Sequence, residues 1–354
     1  MRAGGVRRRQ GKGGLLGGGV RTVLLAGAAG IGYSAMFVRH DAPLPAAVEG
    51  ERRERSGRSG RLSYYVAGDG PPMLLLHSIN AAASAYEVKP VFEHVRARHR
   101  VYAPDLPGFG FSDRSSRDYN IRLYVDAVHD MLDEIAAENG AAPVDALAVS
   151  LASEFLARAA VESPERFRTL TLVTPTGFAR GSSRLRGDPA GSREIPGLYA
   201  AFTFPLWTRA FYDLLVSKRS VRYFLQRTYG SREVDEGMVE YDHATAHQPG
   251  ARHAPYAFVS GRLFSRDIRS VYEQLALPVW MPHATRGDFR DFSEADWART
   301  RPGWSVQPFD TGALPHFEQP VQFMAALDRF LAQQSDTVTA PRAPNGRADG
   351  RPSR

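Results

Sequence analysis

The 354-residue chain contains no cysteine. That excludes disulfides, thiol catalysis, thiolate zinc sites and a lipidated N-terminal cysteine, and it leaves the cellular compartment open. Lysine is scarce as well. Only Lys12, Lys89 and Lys218 occur, so arginine supplies most of the 45 basic residues, a bias that carries no functional information. The body of the chain also lacks excess positive charge. The whole chain carries +7, but residues 1–61 carry +8 and residues 334–354 carry +2, which leaves −3 for residues 62–333. A nucleic-acid-binding domain needs a basic stripe on its folded surface, so no nucleic-acid partner is expected. Long apolar runs are missing too, with one exception near the N-terminus.

That exception is TVLLAGAAGIGYSAMFV at residues 22–38, uncharged and bracketed by Arg21 and Arg39. Its 17 residues would span roughly 25 Å as a helix, at the short end for a bilayer core of about 30 Å. Arginines crowd residues 1–21 ahead of it, so this basic N-terminus is expected to stay cytoplasmic and the body to lie on the outer side. The expectation is a single-pass transmembrane signal-anchor. A cleaved signal peptide and a soluble segment are the alternatives, the former lacking a clear A-x-A site. Residues 39–61, rich in Pro, Gly, Ser and Arg, read as a linker. Residues 334–354 read as a disordered tail.

With 43% apolar residues, the chain can bury a sizeable core. Met73–Leu76, Arg100–Ala103, Asp145–Val149, Leu170–Val173, Pro278–Met281 and Ser305–Phe309 read as strands. The most apolar of them are continuous runs, as in strands covered on both faces. Ile121–Ile135, Leu151–Val161 and Pro320–Leu331 have helical spacing or composition. This alternation predicts an α/β fold with a mostly parallel central sheet and helices on both faces. Between about residues 178 and 270 the pattern turns helical and aromatic-rich, with Phe202, Phe204, Trp207, Phe211, Tyr212, Tyr223 and Phe224, and it reads as an inserted helical cap.

One serine stands out. In DALAVSLASEFLARAA (residues 145–160) a buried strand runs into Ser150 and a helix follows at once. A serine on such a turn is pushed out of the sheet's C-terminal edge, and the helix N-terminus favours a developing oxyanion. This is the logic of the G-x-S-x-G nucleophile elbow. Here both glycines are replaced, by Ala148 and Ala152. A serine that merely caps a helix is the competing reading.

The surroundings of Ser150 resemble the α/β-hydrolase family over residues 62–333, cap excepted. His77-Ser78 stands where that family has His-Gly. Asp105-Leu106-Pro107-Gly108-Phe109-Gly110-Phe111-Ser112 matches its D-x-x-G-x-G-x-S pattern. SPERFRTLTLVTP (residues 163–175) and FEQP (residues 317–320) fit as well. The resemblance implies a Ser-Asp-His triad in that chain order, with Ser150 as nucleophile, Asp288 as acid and Asp291 as second choice. It also implies an oxyanion hole from the backbone N–H groups of Leu151 and Ile79. The histidine is where the pattern fails. Gly312-Ala313-Leu314-Pro315-His316-Phe317-Glu318-Gln319-Pro320 aligns with the family's G-H-x-P-H-x-E-x-P ending, and Ala313 occupies the place of the catalytic imidazole. His316 matches an accessory histidine. It enters as the candidate base through a rearranged loop, against the alternatives of a structural role or of a cap histidine such as His247 or His253. His77 reads as structural. The spacing of His243, His247 and His253 hints at metal, but no matched carboxylate supports it, so neither metal nor cofactor is expected.

Two functional classes follow. The first is a membrane-anchored serine hydrolase, esterase- or lipase-like, acting on a small apolar acyl substrate through Ser150, His316 and Asp288. The second is a catalytically impaired member that binds a ligand or partner, or a non-hydrolytic enzyme on the same scaffold. Ser78, Ala148, Ala152 and Ala313 all depart from the hydrolytic pattern in the same direction.

Overall fold

The computed structural model describes residues 38–189 and 191–339, together with the isolated positions Gly32, Ser34 and Met36; for residues 335–339 it describes the backbone alone. The basic N-terminus expected at residues 1–21, most of the apolar run at 22–38 and the chain beyond 339 lie outside the described residues. Among the described residues no helix is long and apolar enough to cross a membrane.

An eight-stranded sheet organises the chain: β1 (Glu51–Gly57), β2 (Gly60–Ala67), β3 (Pro72–Leu76), β4 (Arg100–Pro104), β5 (Val144–Val149), β6 (Phe167–Val173), β7 (Val279–Ala284) and β8 (Trp304–Phe309). The spatial order is β1-β2-β4-β3-β5-β6-β7-β8. The pairs β1/β2 and β2/β4 are antiparallel, and every later pair is parallel. Alternate side chains of the central strands enter two different cores. Leu74, Leu76, Ala146, Ala148, Leu170 and Leu172 pack with α2 (Ile121–Asn139) and α3 (Ala152–Glu162) on one face. Met73, Leu75, Leu147, Val149 and Val173 pack with α1 (Lys89–Val95) and α12 (Pro320–Thr339) on the other. Each strand is therefore buried on both faces and mostly apolar, which is why β3 reads as an unbroken run, while β5 and β6 admit the buried polar residues Asp145, Thr169 and Thr171.

Between β6 and β7 the chain leaves the sheet to build the cap. Its helices are α4 (Leu198–Phe202), α5 (Thr208–Leu215), α6 (Lys218–Tyr229), α7 (Glu236–Ala246) and α8 (His253–Val259). Helix α9 (Ile268–Gln274) then packs back on α3. The short helices α10 (Asp296–Arg299) and α11 (Pro315–Glu318) flank β8.

Two boundaries differ from the sequence reading. The linker expected at residues 39–61 contains β1 and the start of β2. Its sequence, ERRERSG, has no apolar residue, because β1 is the edge of the sheet and its charges are held by ion pairs. Arg53 bridges Glu51 and Glu138, and Arg55 reaches Glu134. Charge on an edge strand also discourages pairing with another chain. The hairpin is pinned by Asp130 of α2, which is buried and accepts from the Arg58 and Ser59 N–H groups and from the Ser59 hydroxyl. At the other end, α12 continues to Thr339, past the expected start of the tail at 334.

Near the N-terminus, Ser34 is buried and its hydroxyl donates to Asp213 of α5, to which His40 Nε2 also bonds at 2.7 Å. The end of the apolar run thus lies against the cap.

Asp130→Ala leaves two hairpin N–H groups without their acceptor. It is expected to lower stability by about 2 kcal/mol, measured by urea denaturation. An unchanged midpoint would mean that β1 does not fold with the sheet.

Candidate active site

Ser150 sits between β5 and α3 with φ at +53°. Left-handed backbone is costly for any residue with a Cβ. It is held here by the Ser150 N–H donating to the Val173 carbonyl at 2.9 Å and by the Ser150 carbonyl accepting from Ser153 N–H at 3.1 Å. Ala148 and Ala152 are both fully buried, so small residues at these flanks still let strand and helix approach. The side chain does not cap α3. Leu151 is the residue at the cap position, and no side-chain cap bond is made there. The elbow geometry is therefore present without its glycines. The N–H groups of Leu151 and Ile79 are taken by no other group among the described residues.

The preceding loop is fixed from two sides. His77 is fully buried. Its Nε2 accepts from Leu106 N–H at 2.9 Å and its Nδ1 donates to the Ser78 carbonyl at 2.6 Å. Burial lowers its pKa to about 4, so it is a neutral structural ring. Glu87, also buried, accepts from Ser78 N–H at 2.7 Å, from the Ser78 hydroxyl at 3.0 Å and from Asn80 Nδ2 at 2.6 Å. Serine in place of glycine at 78 thus contributes a hydroxyl to the Glu87 site. Asp105 of the D-x-x-G-x-G-x-S pattern is a second buried pin, accepting from Ala85 and Phe111 N–H. A Cβ on Gly110, whose φ is +48°, would overlap the Asp105 carboxylate, which explains that glycine.

The expected relay is not assembled. His316 is fully buried and its Nε2 donates to the Glu87 carbonyl at 2.7 Å, while its Nδ1 has no partner. No hydrogen bond joins it to Ser150 or to Asp288. Burial lowers its pKa to about 4, with the Glu87 carbonyl opposing that shift. A ring that neutral, with its proton committed to a carbonyl, is a structural pin rather than a base. Asp288 is exposed, and both its oxygens are held by Arg227 of α6, at 2.6 and 2.8 Å. Asp291 accepts from the Arg180 and Ser293 N–H groups, and its pKa is lowered by the Ser293 side chain first and then by these N–H groups.

The reason lies in the cap. The C-terminus of α6 docks directly on the two loops that would carry the acid and the imidazole. Arg227 and Thr228 have carbonyls left free by the end of the helix. The Arg227 carbonyl accepts from Asp288 N–H at 3.1 Å, and the Thr228 carbonyl accepts from Ala313 N–H at 2.9 Å. The approach is backbone to backbone. A Cβ added to Gly312 would come within 2.2 Å of the Thr228 carbonyl, and one on Gly287 within 2.6 Å of the Arg227 carbonyl. Ala313 is buried in this contact.

No cap histidine replaces the missing base. His243 bonds the Val216 carbonyl through Nδ1, and His247 bonds the His243 carbonyl. His253 lines a separate surface cleft with Phe111 and Arg114. Among the described residues no cluster of metal-ligating side chains occurs.

Between Asn80 and the cap lies a cavity of about 210 Å³. Apolar side chains of α5, α6 and α8 form most of its wall, among them Leu215, Val221, Phe224 and Phe258, and Phe289 closes it from the β7 side. Asp242 of α7 is its buried polar group. Ser150 is not among the lining residues. A second groove, of about 280 Å³, runs along residues 174–182 and shares only Asp288 and Phe289 with the first. Glu87 and Asp242, which frame this region, escaped the sequence reading. An acid inside an otherwise apolar segment, as in AYEV (residues 85–88), is the signal that marks Glu87.

An elbow serine at the end of a central parallel strand, an eight-stranded sheet of this order and a helical cap after β6 define the class. The chain has the α/β-hydrolase fold. The sequence model of the α/β hydrolase fold matches residues 71–224. An uncharacterised protein of Mycobacterium tuberculosis is 24% identical over 290 residues, 77% of this chain and 78% of its own. A haloalkane dehalogenase of Psychrobacter cryohalolentis is 30% identical over 151 residues, 40% of this chain and 48% of its own. Among solved structures, a probable hydrolytic enzyme of Pseudomonas aeruginosa has a TM-score of 0.63 at 19% identity, covering 81% of this chain and 96% of that one. That last likeness is one of fold. Hydrolases thus stand among the relatives, without pointing to an ester substrate.

Two outcomes follow. Ala313→His should not create hydrolytic activity, because position 313 is buried and its N–H is held by the Thr228 carbonyl of α6, so its loop is fixed before a ring is added. It should lower stability by about 1–3 kcal/mol through overpacking, and a gain of esterase activity would refute the docking argument. His316→Gln keeps a donor for the Glu87 carbonyl and removes a titrating group. The buried histidines have folded pKa values of about 4 against 6.5 unfolded, so the unfolded chain binds more protons between these values. Stability should fall as pH drops from about 6.5 to 4. The variant should show a shallower slope, by about one proton, in urea midpoints taken across that range.

Proposed function

We propose that this α/β-hydrolase-fold protein binds a small, largely apolar molecule beneath its cap, and that Ser150 does not work through a Ser-His-Asp relay. The observation that carries this reading is the hydrogen bond from Ala313 N–H to the Thr228 carbonyl, which seats a cap helix where the acid and base loops would open. Without an imidazole or equivalent base, a serine hydroxyl is a poor nucleophile near neutral pH. The cavity beside Asn80, apolar and partly enclosed, supports a ligand role.

A second reading, a serine hydrolase on an apolar acyl substrate, is favoured by the positive φ of Ser150 and by the free N–H groups of Leu151 and Ile79. The deciding experiment labels the purified chain with a fluorophosphonate probe, beside Ser150→Ala. The expected result is no Ser150-dependent labelling of the folded protein. Labelling that disappears in Ser150→Ala would favour the second reading and overturn the first.

The tether at residues 22–38 belongs to the same proposal. The bonds of Ser34 and His40 to Asp213 dock the C-terminal end of the run on the cap and weigh against a span that includes Ser34. The full chain should sediment with membranes and resist extraction by carbonate, and a chain beginning at residue 39 should not. A soluble full chain would remove the anchor from the proposal.

A further inference from the structure

Among the described residues, Asp242 is a buried carboxyl with an unpartnered oxygen. It is 3% exposed and faces the cavity between Asn80 and the cap helices. Its Oδ1 has no hydrogen-bond partner, and no N–H, O–H or cation among the described residues reaches the carboxyl. Glu87, close enough for its charge to act on Asp242, has the opposite provision, with three donors from Ser78 and Asn80 that oppose the upward push of burial on its own pKa. Two neighbouring buried carboxyls are thus treated unequally. One is furnished with donors suited to an anion. The other is furnished with none.

A carboxylate without donors in an apolar wall is very costly, and the group escapes that cost by keeping its proton. The groups facing Asp242 push the same way. Burial raises its pKa well above the usual carboxylate range, and Glu87 and then Asp235 raise it further. The phenols of Tyr86 and Tyr229, themselves raised by burial first, lie close enough to feel the Asp242 charge and add no positive charge. Arg227, the cation on the cavity wall, is committed to Asp288. A protonated carboxyl is a hydrogen-bond donor, and an unused buried donor is a standing cost that a ligand can remove.

We propose that the cavity selects a small apolar molecule bearing a carbonyl oxygen, and that Asp242 donates its proton to that oxygen as a hydrogen bond. The proposal rests on the reading of this cavity as a ligand site. The cavity, at about 210 Å³, suits a ligand built on one ring. The selection would be for ketone, aldehyde, ester or amide carbonyls over hydrocarbons of the same shape. It would also disfavour anions, since Glu87 and Asp235 lie nearby.

The test compares acetophenone with α-methylstyrene, in which a methylene replaces the carbonyl oxygen. Binding of each to the full chain is measured by calorimetry or ligand-observed NMR, with benzamidine as a cationic counterpart. Wild type should bind acetophenone about tenfold more tightly, the size of one net hydrogen bond. That preference should fade at alkaline pH as Asp242 ionises. Asp242→Asn carries a permanent neutral donor and should keep the preference at every pH. Asp242→Leu should bind α-methylstyrene and lose the preference. Equal preference in wild type and Asp242→Leu would overturn the role of Asp242 while leaving the cavity as a ligand site. Tighter binding of benzamidine than of acetophenone would overturn it in favour of a cation site. Binding of none of the probes to folded wild type would overturn the ligand site itself, and this proposal with it.

Discussion

The structure around the candidate site depends on how one cap helix ends. Helix α6 stops at Tyr229, and two of its last carbonyls find their donors outside the helix, in the loops after β7 and β8. Those loops reciprocate through side chains. Asp288 grips Arg227, while Gly312 N–H donates to Glu318, which Arg286 also holds. An end-of-helix carbonyl must find a partner somewhere. Here that requirement ties the cap to the sheet's C-terminal edge and fixes both loops in one arrangement. Glycine at 287 and 312 is what makes the distance possible. The same contact forms part of the cavity wall, since Arg227, Thr228, Asp288 and Phe289 all line it.

Glu87 forms the second tie. Its carboxylate gathers Ser78 and Asn80, and its own carbonyl receives His316. One residue thus links the loop before α1, the cap-side cavity and the segment leading into α12. Each member loses freedom that a relay would need. His316 cannot swing toward Ser150 without leaving a buried carbonyl unpaired, and the Ser78 N–H and hydroxyl are committed to Glu87. The neutral imidazole and the anchored acid are consistent with a scaffold built to stay still.

Much of this fold is legible in the sequence, for a specific reason. Parallel strands buried on both faces are mostly apolar, so Met73–Leu76 and the run Ala146–Val149 announce themselves, while Asp145 is buried with Arg168 and Thr169 as partners. The edge strand β1 does not, because its partners are ion pairs and one buried aspartate 71 to 72 residues away. The start of α12 is legible, while its end at Thr339 lies past the sequence-based boundary at 334. At the site, the absence of an imidazole at 313 is visible at once. Its structural counterpart is not, because α6 meets the loop by backbone contact at glycines, and no side-chain pattern records that. In the stretch around Asp242 the conspicuous sequence feature is the spacing of His243 and His247. Burial alone makes Asp242 unusual, and burial is a property of the fold.

The strained serine invites a catalytic interpretation, and the structure limits how far that goes. Positive φ at a residue with a Cβ persists where the surroundings over-determine it. At Ser150 they do so, through the strand–helix turn and its two backbone bonds. Thr174, at the end of the adjacent strand β6, has φ of +45° and is held by its own bond to the Pro282 carbonyl. Left-handed backbone therefore occurs at the ends of two neighbouring parallel strands, one of which has no claim to be a nucleophile. The strain at Ser150 is a property of how the sheet's C-terminal edge turns, so it is retained whether or not chemistry is. Hydrolysis also requires a group to take the hydroxyl proton, and the histidine nearest in sequence to that duty has already committed its own ring. In this chain the elbow of the fold stands without an assembled proton relay beside it, and α6 is bonded to the two loops that would carry that relay.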